Sequence, residues 1–268
     1  MNTRLNLRIL RTIACSTTVF TLMCVSAWAQ WVKVPAPAIP QSNGKPNLSA
    51  PAPKLPNGIP DLSGIWEPPS PPKYLRNLAA DMKPEDVPYQ PWAKALVEAR
   101  ADGSQARDES DANCLPQGVP KIAAAPAPWK IVQTPGFIVI LHEAFNLWRQ
   151  VFLDGRQFAE DLNPSWLGFS IGKWDGDTLV VDSKGFNGKT WLDQAGKPTT
   201  EALHVTERYR RKNFGTLEIQ ITIDDPKAYT KPWTVTQEFR LATNTELMEF
   251  ICNENNRDLV HLPGGSTK

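Results

Sequence analysis

The chain has 268 residues, room for one large β domain or two small ones, and an apolar fraction of 41% that can supply a real core. Lys and Arg number 29 against 28 Asp and Glu, a formal net charge of +1 that excludes the basic footprint of a nucleic-acid partner. Only three histidines are present, and none stands at metal-ligand spacing from another His, Asp, Glu or Cys, so no resident metal is expected.

At the N-terminus Arg4, Arg8 and Arg11 precede an apolar run from Thr12 to Ala27, and Ala27-Trp28-Ala29 places small residues where a signal peptidase reads. Residues 1–29 are therefore read as a cleaved secretory signal. The run is short of the ~20 residues a spanning helix needs, so no transmembrane segment is expected after processing. Neither Cys15 nor Cys24 has a lipoprotein context. Cleavage removes three arginines and no acids, which turns the charge from +1 to −2, and it leaves Cys114 and Cys252 as the only cysteines. In a periplasmic or secreted protein such a pair is expected to form a disulfide, which in the chain-entropy model stabilises by about 3–5 kcal/mol.

Residues 30–60 are rich in Pro, Ala, Asn and Lys and read as an arm or linker. The segment 61–130 opens with a short strand, Pro60-Asp61-Leu62-Ser63-Gly64-Ile65-Trp66. It continues with a helical pattern within 84–101 that stops at Asp102-Gly103, then a polar loop and proline-rich wrapping segments around Cys114–Pro120 and Ala125–Pro128. From 131 to 256 strand and turn alternate, which predicts an all-β antiparallel up-and-down meander closing into a lipocalin-like barrel of about eight strands. The expected strands are about 131–142, 146–153, 166–174, 177–183, 201–212, 216–224, 233–242 and 246–253, with a tail at 257–268. Asp175-Gly176 predicts a type I′ hairpin between the third and fourth.

Period-2 alternation assigns faces in the later strands. Leu217, Ile219, Ile221 and Ile223 point inward, as do Leu203, Val205, Glu207 and Tyr209, and Trp233, Val235, Gln237, Phe239 and Leu241. Glu207 and Gln237 are thus polar groups at core positions, and such groups have a partner or a job. Glu143, Arg149, Asp154, Asp182 and Glu249 are further candidates. Glu207 and Asp182 are read as candidate acid-base residues with Arg149 as electrostatic partner. A structural Arg–Glu pair is the alternative. His204 and Glu207, three apart on one strand, face opposite ways and cannot share a metal. Gly168-Phe169-Ser170-Ile171-Gly172 matches a nucleophile elbow in letters only, because it runs on as a strand. No Gly-rich phosphate loop occurs, and no cofactor is expected. Trp166, Trp174 and Trp191, beside the central hairpin, together with Tyr209 and Glu143, are the candidate ligand-binding residues.

The motifs Pro60-Asp61-Leu62-Ser63-Gly64-Ile65-Trp66, Cys114-Leu115-Pro116, Gln133-Thr134-Pro135-Gly136, Asp154-Gly155-Arg156, Gly172 to Val181 and Glu207-Arg208-Tyr209 span nearly the whole mature chain. On them the chain resembles a large family of uncharacterised exported bacterial proteins, a likeness that carries no activity with it. Gly64-x-Trp66 and the strand count give a more distant resemblance to lipocalin-like, calycin-like barrels. The reading is an exported β-barrel that binds a small hydrophobic or aromatic molecule. A cofactor-independent enzyme (lyase, isomerase or hydrolase) with carboxylate acid-base chemistry, and an envelope structural protein, are the alternatives.

Overall fold

A computed structural model describes residues 39–254, 257 and 261–263; the expected signal segment, the start of the arm and most of the tail lie outside the described residues. The described part of the segment expected as an arm or linker carries a two-stranded hairpin, β1 (Gln41–Ser42) and β2 (Lys45–Pro46). Asn43 and Gly44 both take positive φ, 53° and 73°, as a type I′ turn requires. The arm then docks on the barrel, with Phe214 and Gly215 N–H groups donating to Ala50 and Leu48 carbonyls at 2.8 Å each.

The barrel has nine strands rather than eight: β3 (Gly64–Glu67), β4 (Trp129–Thr134), β5 (Phe137–His142), β6 (Leu147–Phe152), β7 (Phe169–Asp175), β8 (Thr178–Lys184), β9 (His204–Asn213), β10 (Thr216–Asp224) and β11 (Trp233–Leu241). Each pairs with its neighbours in sequence, and β11 returns to β3 to close the ring. Three departures produce the count. The expected strand 131–142 is two strands, because Pro135 pre-sets φ and Gly136 at φ 76° completes a tight turn between Thr134 and Phe137. The short strand at Gly64–Glu67 belongs to the barrel. The expected strand 246–253 does not form, because β3 already occupies the edge of β11. Side chains serve that segment's backbone instead, with Glu143 accepting from Met248 N–H at 2.8 Å and Asn146 bonding Phe250 N–H and C=O at 3.1 and 2.7 Å.

A closed ring of nine sequential strands cannot alternate direction all the way round. One adjacent pair must be parallel, and it is β6–β7, joined by only two residue pairs, Val151↔Ser170 and Phe152↔Ile171. The meander is therefore not wholly antiparallel. In the β7–β8 hairpin Asp175 pairs with Thr178, so the loop is Gly176-Asp177. Only Gly176 takes positive φ there, 58°, which is the type II′ pattern and corrects the expected type I′.

The alternation read for β9, β10 and β11 holds: Leu217, Ile219, Ile221, Ile223, Val205, Glu207, Tyr209, Gln237 and Phe239 are all buried. Leu62 plugs one end, with its N–H on Gln133 Oε1 at 2.8 Å and its carbonyl on Trp66 Nε1 at 3.1 Å. The other end is closed by the proline-rich segment, from which Val119, Ile122 and Ala123 join the core, and by Phe186 and Leu192. Helix Pro91–Arg100 starts on Pro, where no N–H is needed, and buries Ala93 while Trp92 donates to the Lys227 carbonyl at 2.8 Å. Cys114 and Cys252 form a disulfide across a separation of 138 residues, with Cα atoms 5.5 Å apart. It ties the end-closing segment to the irregular 246–253 stretch rather than to a last strand.

Phe239 is fully buried and meets Trp129 edge-on at 5.1 Å, whereas Gln220 on the neighbouring strand points to solvent. Phe239→Ala is expected to lower stability by about 3–5 kcal/mol and Gln220→Ala by no more than about 0.5 kcal/mol, measured by urea unfolding. Equal losses would contradict the inward register.

Candidate functional site

Arg149 projects from β6 into the barrel and meets Glu207 of β9 in a bidentate pair, Nη1 to Oε1 at 3.2 Å and Nη2 to Oε2 at 2.6 Å. Nη2 also donates to Ser170 Oγ and Ser183 Oγ at 3.2 and 3.1 Å, and the two hydroxyls lie 2.8 Å apart. Tyr209 donates its hydroxyl proton to Glu207 Oε1 at 2.9 Å. All five side chains are buried. Burial opposes the Arg149 charge, but the adjacent Glu207 carboxylate outweighs it and the pKa is raised. Burial, and then the Glu207 charge, raise that of Tyr209. The inward placement of Glu207 and its union with Arg149 are therefore as the residues suggested, while Asp182 is elsewhere.

Asp182 points outward from β8, where its Oδ1 accepts from Thr206 Oγ1 at 2.7 Å and lies 2.9 Å from His204 Nε2. It shares no contact with Arg149, so the proposed Glu207–Asp182–Arg149 grouping separates into two sites on opposite faces of the sheet. The candidate ligand residues do not converge either. Tyr209 is committed inside the barrel, and Trp174 is half-buried beside the β7–β8 turn. Trp191 lies in the segment closing the far end, under the Arg100 guanidinium at 4.0 Å. Trp166 precedes β7 and is half-buried, Glu143 holds the Met248 backbone on the outside, and Asp154 pairs with Arg156 in an exposed loop. Glu249 is exposed.

Among the described residues, clefts of about 200 to 560 Å³ open on the outside of the molecule, and neither Arg149 nor Glu207 lines the five best formed of them. One, of about 470 Å³, runs beside β3 and the end of β11; Ile65, Phe214, Leu241 and Ala242 form its apolar walls. Arg211 stands at its base. The alternation that places Glu207 and Tyr209 inward continues to this residue, so the signal was present one step further along β9. Arg211 is 6% exposed and sits against the Trp66 and Phe214 rings at 5.0 and 4.9 Å. Its Nη1 donates to the Asp61 and Ser63 carbonyls at 2.6 and 3.3 Å, and Nε and Nη2 donate to Phe214 O at 3.1 and 2.6 Å. Among the described residues no carboxylate forms an ion pair with it, although Asp61 also lines the cleft. Burial pulls its pKa down to about 10 against the opposing Asp61 charge, which leaves it charged at neutral pH.

Two further buried ion clusters hold the segments that close the barrel's end: Lys121 with Glu109 and Asp111, and Lys197 with Asp193. Among the described residues no three His, Cys, Asp or Glu side chains are grouped to hold a metal ion, and no helix is long and apolar enough to cross a membrane. Compared with protein-family models, with curated proteins and with solved structures, the chain matches none.

His142 is 4% exposed at the end of β5, with its ring 6.1 Å from that of Trp129, and no described residue bonds either ring nitrogen. Burial, and then the Arg149 charge, push its pKa down from 6.5 to about 3. The unfolded chain thus takes up a proton that the folded protein refuses, and the stability present above pH 6.5 is lost as pH falls toward 3. His142→Phe is expected to become the more acid-resistant protein, the difference between the two changing by about 1.4 kcal/mol per pH unit in urea melts from pH 6.5 downward. Parallel curves would show that His142 is solvated.

Proposed function

We propose that this is an exported binding protein for a small apolar or aromatic molecule that carries an acidic group, received in the cleft beside β3. The observation that carries the reading is Arg211: a buried cation bonded only to carbonyl oxygens, at the base of an apolar cleft of about 470 Å³. Buried charges are ordinarily paired, and a guanidinium that Asp61 acts on without bonding favours an anion that can bond it directly. The apolar walls then select a hydrophobic body for that anion, and Trp66 and Phe214 hold the guanidinium plane in place. Export is part of the proposal. It is supported by the basic and apolar run at residues 4–27 and by the Cys114–Cys252 disulfide, which suits an oxidising compartment such as the periplasm or the exterior.

Titration with 2-naphthoate, followed by tryptophan fluorescence, tests the reading against its neutral analogue 2-naphthamide. The acid is expected to bind saturably and at least about tenfold more tightly than the amide, a difference of about 1.4 kcal/mol. Ala242→Trp, which fills the cleft from the chain just after β11, is expected to abolish binding without unfolding the protein. Equal affinity for acid and amide, or binding untouched by Ala242→Trp, would contradict it.

A further inference from the structure

A second cleft, of about 320 Å³, lies on the outer face of β7, β8 and β9 and is independent of Arg211. Register places Asp182 opposite Ile171 of β7 and Thr206 of β9, and His204 stands two residues before Thr206 on the same face. The Asp182 carboxylate can only accept, so its contact with His204 Nε2 fixes the imidazole as the Nε2–H tautomer. Thr206 donates to the same Oδ1 and holds the carboxylate in place. The His204 Nδ1 lone pair is left over, and no described residue bonds it. The two side chains are 28% and 30% exposed, so both are reachable from the cleft.

The rest of the lining has a definite chemistry. Lys173 and Lys184 line the cleft with one carboxylate, Asp182, while Arg156 is already paired with Asp154, so the remaining charge favours an anion. Phe158 supplies a flat apolar wall, with Lys184 Nζ 5.4 Å from its ring centre. An aromatic ring bearing a carboxylate matches both features.

We propose that this cleft hydrolyses small esters whose aromatic ring carries an anionic group, with His204 as general base. Asp182 positions the imidazole, and Lys173 and Lys184 hold the anion. As the oxygen of a water molecule bonds to the ester carbonyl carbon, one of its protons passes to His204 Nδ1. The tetrahedral intermediate then collapses by breaking the bond to the aryloxy oxygen, which takes that proton back. The products are a carboxylic acid and a phenol, and His204 is regenerated.

The probe is 4-acetoxybenzoate, whose hydrolysis to acetate and 4-hydroxybenzoate is followed by absorbance with the full mature chain. His204→Asn is expected to reduce kcat by about 100-fold or more, the scale of a general base, and Asp182→Asn by a smaller factor. Lys173→Gln is expected to raise KM for this ester. Melting temperatures of all three variants are measured in parallel, because a merely structural Asp–His contact would move those and leave hydrolysis per folded molecule unchanged. A wild-type rate no faster than that of His204→Asn, or activity that falls only in step with melting temperature, would overturn the proposal.

Discussion

The pairing of Arg149 with Glu207 decides what the interior of this barrel can be. Nine strands in a ring force one parallel seam, and that seam, β6–β7, has only two residue pairs of backbone ladder. Arg149 leaves β6 beside it and bonds Ser170 on β7, Ser183 on β8 and Glu207 on β9, so its side chain crosses the place where backbone bonding is thinnest. Gly172 lies on the same inward row. A Cβ there would stand 2.7 Å from Leu153 and 2.9 Å from Val151, which shows how closely the two strands approach beyond their short ladder. Burying both charges is expensive. The bidentate geometry and the three hydroxyl partners repay that desolvation only as a complete set.

With that network and the fully buried Leu62, Trp66, Trp129 and Phe239 all inside the fold, the chemistry has moved outward. Arg211 repeats the inward alternation of β9 one step nearer the rim, where the ladder ends and an apolar cleft begins. Asp182 and His204 use the opposite face of β8 and β9. A single sheet thus presents a structural ion pair on its inner side and two differently equipped clefts at its rim and outside. The barrel form by itself names no function; what distinguishes this molecule is a buried cation that no carboxylate bonds and a histidine held against a carboxylate.

Much of the fold was legible because period-2 alternation is strong in β9, β10 and β11, where one face is buried and the other wet. That pattern alone placed Glu207, Tyr209 and Gln237 inside. It weakened in β4–β6, where both faces are apolar: Trp148 and Val132 point outward and stay exposed, so apolar content there could not mark the core side. The Pro135-Gly136 turn and the Asn43-Gly44 turn were written in the residues, but the long apolar run and the proline-rich surroundings masked them. The expected strand at 246–253 failed for a reason no local pattern carries, since β3 had taken its place in the ring. The candidate site was legible only in part. Alternation on β9 marks Glu207 as inward, whereas telling Asp182 apart from it requires the register of β8, whose apolar residues occupy both faces.

The central claim is that the Arg149–Glu207 pair is a structural fastening across the β6–β7 seam and takes no part in ligand binding. Glu207→Gln tests it directly, with urea unfolding and 2-naphthoate titration carried out on the same preparation. The account expects stability to fall by about 3–5 kcal/mol, because a buried guanidinium loses its counter-charge, while the folded fraction binds 2-naphthoate with unchanged affinity. A variant of undiminished stability that no longer binds the ligand would contradict it and place Glu207 in the binding site.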